Sequence, residues 1–200
     1  EQIRDLSLAA GGLLDQRIGG VSVFPLQPGN YWGEKGQEKD SGKWVTSRGR
    51  DLYRRGLYTY WKRMALYPSF WILDAPTRQV CTMSRAVTNT PIQALVTLND
   101  PVFFEASRGF ASRVLKEAAP GLKARLHHAF LIALSRPPLQ QEEEAFAALF
   151  ASLSRRYKAA PEAAARVHPG AAGLPAGAEL AAWTILSSTL LNLDEAITRE

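Results

Sequence analysis

Arg54, Arg55, Lys62 and Arg63 interleave with Tyr58, Tyr60 and Trp61 in one short run. Guanidinium forks grip sulfate, phosphate or carboxylate groups, and aromatic faces stack on sugars or bases, so this pattern suits a surface for an anionic polymer. The same residues suit an internal role, with arginines meeting Asp51, Asp74 or backbone carbonyls while the rings fill a small core. Arg78 and Arg85 extend the basic run. From Lys43 to Arg85 stand nine basic residues against two acidic ones, Asp51 and Asp74, with eight aromatic residues among them. The rest of the chain is slightly acidic, so the net charge of +5 originates in this window. Nucleic acid is the weaker ligand for it, because no recognised nucleic-acid motif accompanies the charge.

Four further residues, Asp74, Cys81, Asn89 and Asp100, form a candidate polar site. Two carboxylates at a suitable separation serve as acid and base in glycoside hydrolysis, which makes Asp74 and Asp100 candidates for a polysaccharide-acting hydrolase. The competing reading has Asp100 capping a helix and Asp74 pairing with Arg78. Cys81, with Arg78 and Arg85 nearby in sequence, is either an activated thiolate or a small buried hydrophobe. Asn89 and Gln93 read as turn and cap residues. His127 and His128 are adjacent, about 100° apart on a helix, and do not share a metal face. No metal site is assigned, and Cys81, as the chain's only cysteine, excludes an internal disulfide and two-thiol zinc or haem motifs.

These residues need elements to hold them. The chain has 200 residues, 46% of them apolar, enough for a real core. The charge-free stretch Leu180 to Leu193 has 14 positions, short of the roughly 20 a spanning helix needs, so no membrane span is expected. The chain opens at Glu1 without a basic-then-apolar leader and is read as a piece of a longer protein.

Ile3, Leu6, Ala10 and Leu13/Leu14 predict a first helix from Ile3 to Leu14. A mobile loop is expected at about 33–43, where glycines mix with charges. Alternating β-formers from Asp51 to Arg63 predict a short strand, and Ser69 to Leu73 a helical turn or second strand. Thr90-Pro91-Ile92-Gln93 reads as a helix start, a capping hydroxyl followed by proline and a Gln three residues on. Asn99-Asp100-Pro101 breaks and restarts it, and Phe103, Ala106/Ser107, Phe110 and Val114 form the next apolar stripe. A helix from Leu122 ends before Pro137-Pro138. It should pack as a hairpin on a helix carrying Phe146, Leu149, Phe150, Leu153 and Tyr157, with acids first and bases last. A linker is expected at about 159–178. The last helix, about Glu179 to Thr198, carries Leu180, Trp183, Leu186/Ser187, Leu190 and Leu193/Asp194 on one side. The expected fold is mainly α, five or six helices with a small irregular β element, in a single domain over 1–200.

The run Tyr53 to Arg63, then Asp74-Ala75-Pro76, Arg78 to Cys81, Thr88 to Leu95 and Leu98-Asn99-Asp100, resembles a known family. It is similar to the C-terminal domain of unknown function of planctomycete cytochrome c-associated proteins. Ile18-Gly19-Gly20, Pro25, Gln27-Pro28 and Leu190 to Glu195 extend the resemblance over most of the chain. Gly56 stands where the family more often has Ser, and Leu139 where it has a capping Ser or Thr. The resemblance implies a large, exported, multi-domain parent, extracytoplasmic in the periplasm or cell envelope, with haem in an upstream domain and no cofactor in this fragment. It implies no reaction. The expected function is a non-catalytic binding or scaffold module, engaging upstream domains of the same chain or an anionic cell-envelope polysaccharide. The alternatives are part of a hydrolase using Asp74, Asp100 or Cys81, and, more weakly, nucleic-acid binding.

Overall fold

The first helix stops sooner than its apolar spacing suggests, because two glycines end it. In the computed structural model, which describes residues 1–27, 44–62, 66–169 and 177–198, α1 spans Gln2–Ala10. Gly12 takes the left-handed conformation at φ 68°, and the Leu13 N–H returns to the Leu8 carbonyl at 2.9 Å, a glycine-dependent helix stop. A Cβ on Gly11 would lie 2.6 Å from the Ala106 carbonyl oxygen, so close backbone approach also requires glycine there. The buried face of α1 is Arg4, Ser7, Leu8 and Ala10, not the expected Ile3 and Leu6.

Contacts divide the described chain into two compact units. The first comprises Glu1–Ala9 with Leu13–Phe104, the second Ala10–Gly12 with Glu105–Glu200. In the first unit the expected strand is absent from the described residues. Two 3-10 turns, Gly49–Tyr53 and Gly56–Tyr58, occupy that segment, joined to earlier chain by isolated parallel bridges, Asp15 to Arg54 and Val23 to Thr59. At Gly56 the chain turns instead of extending: the Tyr58 N–H returns to the Arg55 carbonyl at 2.9 Å and the Thr59 N–H to the Gly56 carbonyl at 3.1 Å. Short α2 (Pro68–Ile72) follows, then α3 (Pro91–Asn99). The α3 start has the expected capping box: the Thr90 hydroxyl accepts from the Gln93 N–H, and the Gln93 side chain accepts from the Thr90 N–H. At the next restart, Asp100 caps α4 (Pro101–Glu117), accepting from the Val102 N–H at 2.8 Å. The apolar core of this unit is small: Leu66, Tyr67, Phe70 and Ala75, with Trp44 and Trp61 against it.

The regular structure described in the second unit is all helix: the rest of α4, then α5 (Leu122–Leu134), α6 (Gln140–Ala159), α7 (Pro161–Val167), α8 (Gly177–Leu191) and α9 (Asp194–Ile197). Phe130 on α5 meets Phe146 on α6 edge to face at 5.3 Å, closing the expected hairpin. Arg136 clamps three elements, donating to Glu142 at 2.7 and 2.8 Å and to Glu195 at 2.6 Å. Helix α8 packs on α6 and α7. It is buried around its circumference rather than along one side, with Ala181, Ala182, Trp183, Thr184, Leu186 and Ser187 all inside, as a central helix must be. Its Thr184 hydroxyl satisfies itself on the Leu180 carbonyl. Helix α7 lies within the tract expected as linker, its Ala164 buried; residues 170–176 of that tract lie outside the described residues.

The architecture is mainly α, as expected. There are nine helices among the described residues rather than five or six. The additional ones, α2, α7 and α9, have seven residues or fewer, too short to print a 3.6-residue period. The expected mobile loop at 33–43 lies outside the described residues. Among the described residues no helix is long and apolar enough to cross a membrane.

Candidate functional site

A loop-rich unit without a sheet must satisfy its backbone carbonyls by other means. Arginine side chains supply the donors here. The Arg54 guanidinium is buried and donates to the carbonyls of Arg17, at 3.1 Å, and of Gly19, while lying 3.9 Å over the Tyr58 ring. The Tyr58 hydroxyl accepts from the Gly19 N–H at 2.8 Å. Arg54 and Tyr58 therefore fasten the segment from Arg17 to Val21. Arg4, buried on α1, does the same for the 3-10 turns, donating to the carbonyls of Arg54 at 2.9 Å and Leu52 at 2.8 Å. Its neighbour Asp5 accepts the Gly56 N–H with both oxygens, at 2.7 and 2.9 Å. A Cβ on Gly56 would sit 2.9 Å from that of Glu1, so a serine there would displace the Glu1 side chain.

The aromatic residues of the same segment meet one another. Tyr60 stacks on Phe24 at 4.9 Å, Phe24 meets Trp44 at 5.1 Å, and Trp44 stacks on Tyr67 at 5.8 Å. Tyr67 continues to Phe70 at 5.0 Å, Phe70 to Trp61 at 6.1 Å, and the Arg78 guanidinium lies 4.0 Å over the Trp61 ring. Each contact is of the kind worth about 0.5–1.5 kcal/mol beyond area burial. Desolvation, with the Asp100 charge second, pushes the Tyr67 phenol above its ordinary value, and its hydroxyl donates to the Leu26 carbonyl.

Asp74 and Asp100 are held by different partners. Asp74 sits in the left-handed region at φ 60° and accepts from the Thr88 N–H at 2.9 Å, the Thr88 hydroxyl at 2.6 Å and the Gln93 amide at 3.1 Å. Burial alone would raise its carboxyl, but these hydrogen bonds together hold it below the usual carboxylate range. Its expected partner Arg78 is instead engaged over Trp61. Asp100 is buried, accepts from the Ser69 hydroxyl and caps α4; burial pushes its carboxyl up. Arg4, buried with it, is lowered by the same desolvation. Chemically, Asp74 is a fixed anion already facing three donors, and Asp100 a buried cap.

The remaining candidates spread over the unit's exterior. Arg55, Tyr60, Arg78, Cys81, Arg85 and Asn89 are exposed, and Lys62 is half-buried. Arg85 pairs with Glu1 at 3.0 Å. Arg63 lies outside the described residues. The residues that organise this region and escaped the sequence reading are Arg4, Asp5, Ser69 and Thr88, with Gln93 as more than a cap: its amide also reaches the Ile72 carbonyl at 3.0 Å. In the second unit, Ser112 Oγ lies 3.3 Å from His168 Nε2, and Arg108 donates to the Val167 carbonyl at 2.7 Å, covering the end of α7. Among the described residues no three His, Cys, Asp or Glu side chains cluster to hold a metal ion.

The model of a family described as a protein of unknown function, DUF1553 (PSD1), matches residues 1–150. The chain belongs to the DUF1553 family. The match covers the whole of the first unit, with its arginine staples and the Asp74–Thr88–Gln93 cluster, and ends within α6. The Leu190 to Glu195 motif of the sequence resemblance falls beyond it. No curated protein and no solved structure matches the chain.

Proposed function

We propose that this DUF1553 domain is a non-catalytic scaffold module that docks against other protein domains, in keeping with a role beside upstream domains of an exported, cytochrome-type parent. The supporting observation is the inward use of the arginine and aromatic segment. Arg54 is buried on backbone carbonyls and the rings from Tyr60 to Trp61 contact each other, so the central arginine and the stacking rings of the segment are engaged in holding loops, while Arg55, Arg78 and Arg85 stay at the surface. Asp74 and Asp100 are occupied in the same way, by a loop clamp and a helix cap.

The test is binding of the purified 200-residue chain to sulfated, uronic-acid and neutral polysaccharides, with single-stranded and duplex DNA as controls, at low and high salt. Scaffolding predicts no selective binding by the folded chain. Saturable, salt-sensitive binding to sulfated or uronic polysaccharide, weakened in an Arg55→Ala/Arg85→Ala variant with unchanged circular dichroism, would replace it with the polymer-binding reading.

A further inference from the structure

Helix α3 is inverted in polarity. Its inward face carries Gln93 and Thr97, 2% and 6% exposed, while Ile92, Leu95 and Leu98 stand outward at 60%, 58% and 38%. At 100° per residue, Ile92 and Leu95 fall on the side opposite Gln93 and Thr97. The inward polar groups have partners: the Gln93 amide meets Ile72, Asp74 and Thr88, and the Thr97 hydroxyl meets the Ala94 carbonyl at 3.0 Å. The outward aliphatic side chains are left to solvent. Scattered exposed aliphatics need no explanation, but a helix whose apolar side is its outer one presents a surface for another element to cover.

The preceding segment adds to that surface. Val80, Met83 and Val87 are exposed, and Thr88, which follows Val87 directly, is fastened to the first turn of α3 through the Gln93 amide at 2.9 Å. From Ala75 to Asn99 the chain contains two charges, Arg78 and Arg85, and no carboxylate. Arg78 lies over Trp61 and Arg85 meets Glu1, yet both guanidinium groups remain exposed. Methionine and arginine are enriched at protein interfaces, and lysine, aspartate and glutamate are depleted.

We propose that the outer face of α3, with the segment from Arg78 to Val87, docks an acidic amphipathic helix of a partner domain. This rests on the scaffold reading and names its partner. An apolar stripe on the incoming helix packs against Ile92 and Leu95, ridge into groove, and flanking carboxylates meet Arg78 and Arg85. Two arginines attract an anionic membrane by only about 1 kcal/mol each, too little to anchor the unit on lipid, so a protein partner is the better fit.

The probe is a synthetic 18-residue helix with leucines at i, i+3, i+4 and i+7 and glutamate flanks, compared with the same helix carrying lysine flanks. Chemical-shift mapping on the 200-residue chain is expected to place the glutamate helix on residues 78–98. Leu95→Asp is expected to weaken binding by about tenfold or more, and Ile92→Ser by less. Both positions are exposed, so both variants should keep the parent's circular dichroism. Equal binding of glutamate and lysine helices, absence of binding, or shifts elsewhere would overturn the proposal. So would binding to phosphatidylglycerol vesicles in preference to the helix, or a concentration-dependent dimer abolished by Leu95→Asp. If helix and polysaccharides both fail to bind, the docking face falls while scaffolding stands; if a polysaccharide binds selectively, scaffolding itself falls.

Discussion

The two units solve the same problem with opposite materials. Every buried arginine, aspartate and glutamine among the described residues (Arg4, Arg54, Asp15, Asp100 and Gln93) belongs to the first unit; the second buries only hydroxyls among its polar side chains and fills its centre with Phe110, Phe130, Trp183 and Leu186. The cause lies in the backbone. Helices satisfy their own amides, so α5 to α8 can be packed with hydrocarbon. Between its short helices the first unit has only two isolated bridges and 3-10 turns among the described residues, so carbonyls there recruit side-chain donors from distant positions.

If that contrast is right, the largest single loss should come from the second unit. Phe130→Ala removes a ring fully inside the core and its contact to Phe146, and should cost about 3–5 kcal/mol by denaturant unfolding. A loss under about 1 kcal/mol would mean this core is loosely packed. Next, Arg54→Met strips the donors from the Arg17 and Gly19 carbonyls and should cost about 1.5–3 kcal/mol. The sharper readout is hydrogen exchange: amides at 17–24 and 52–60 should exchange faster while those of α5 and α6 do not change. Uniform acceleration would show that the staple supports more than its own loops. Thr90→Ala, which deletes one half of the α3 capping box, should cost about 1 kcal/mol. Thr90→Ser should restore most of it.

Acid should act with opposite sign at two places, the Arg136 clamp and Asp100. Hydrogen bonds from Arg136 hold Glu142 and Glu195 below the ordinary carboxylate range. Their folded state favours the ionised form, so their contribution is present above the ordinary value and lost as pH falls through the folded one. Burial raises Asp100 instead, so the native state takes up its proton first, and its contribution declines as pH rises from the ordinary value through the raised one. Unfolding curves between pH 3 and 6, to order of magnitude the carboxylate range, should lose the first slope in Arg136→Ala and the second in Asp100→Asn. Asp74 is lowered and opposes Asp100 within the first unit, so Asp74→Asn should remove a contribution to stability that is lost on acidification.

The sequence reading followed the same division. Periodicity found the buried stripe of α4 and the α5–α6 hairpin because apolar spacing decides those elements, and capping chemistry found Thr90 and Asp100 because a hydroxyl or carboxylate before proline has one geometry to adopt. It misjudged α1, whose inward face is Arg4, Ser7 and Leu8: a guanidinium reads as solvent-facing unless carbonyls elsewhere await it, and those of Leu52 and Arg54 lie about fifty residues away. Helix α8 was read as one-sided because a central helix has no polar side to mark its phase. The β-rich run from Asp51 to Arg63 expressed residue preference without the partner strand that preference requires. As for the candidate site, residue types were legible in the sequence and their partners were not. Distances alone told that Arg54 faces carbonyls and that Asp74 meets Thr88 and Gln93.

Trp183, enclosed at the centre of α8, is the only tryptophan in residues 105–200; the other four lie at positions 32, 44, 61 and 71. The molecule thus carries an optical asymmetry. Blue-edge emission comes chiefly from a tryptophan sealed in hydrocarbon, whereas Trp71, 54% exposed, emits toward the red and is open to aqueous quenchers. Iodide quenching during unfolding can therefore read the two units separately in one cuvette, with Trp183→Phe as the blank for the second.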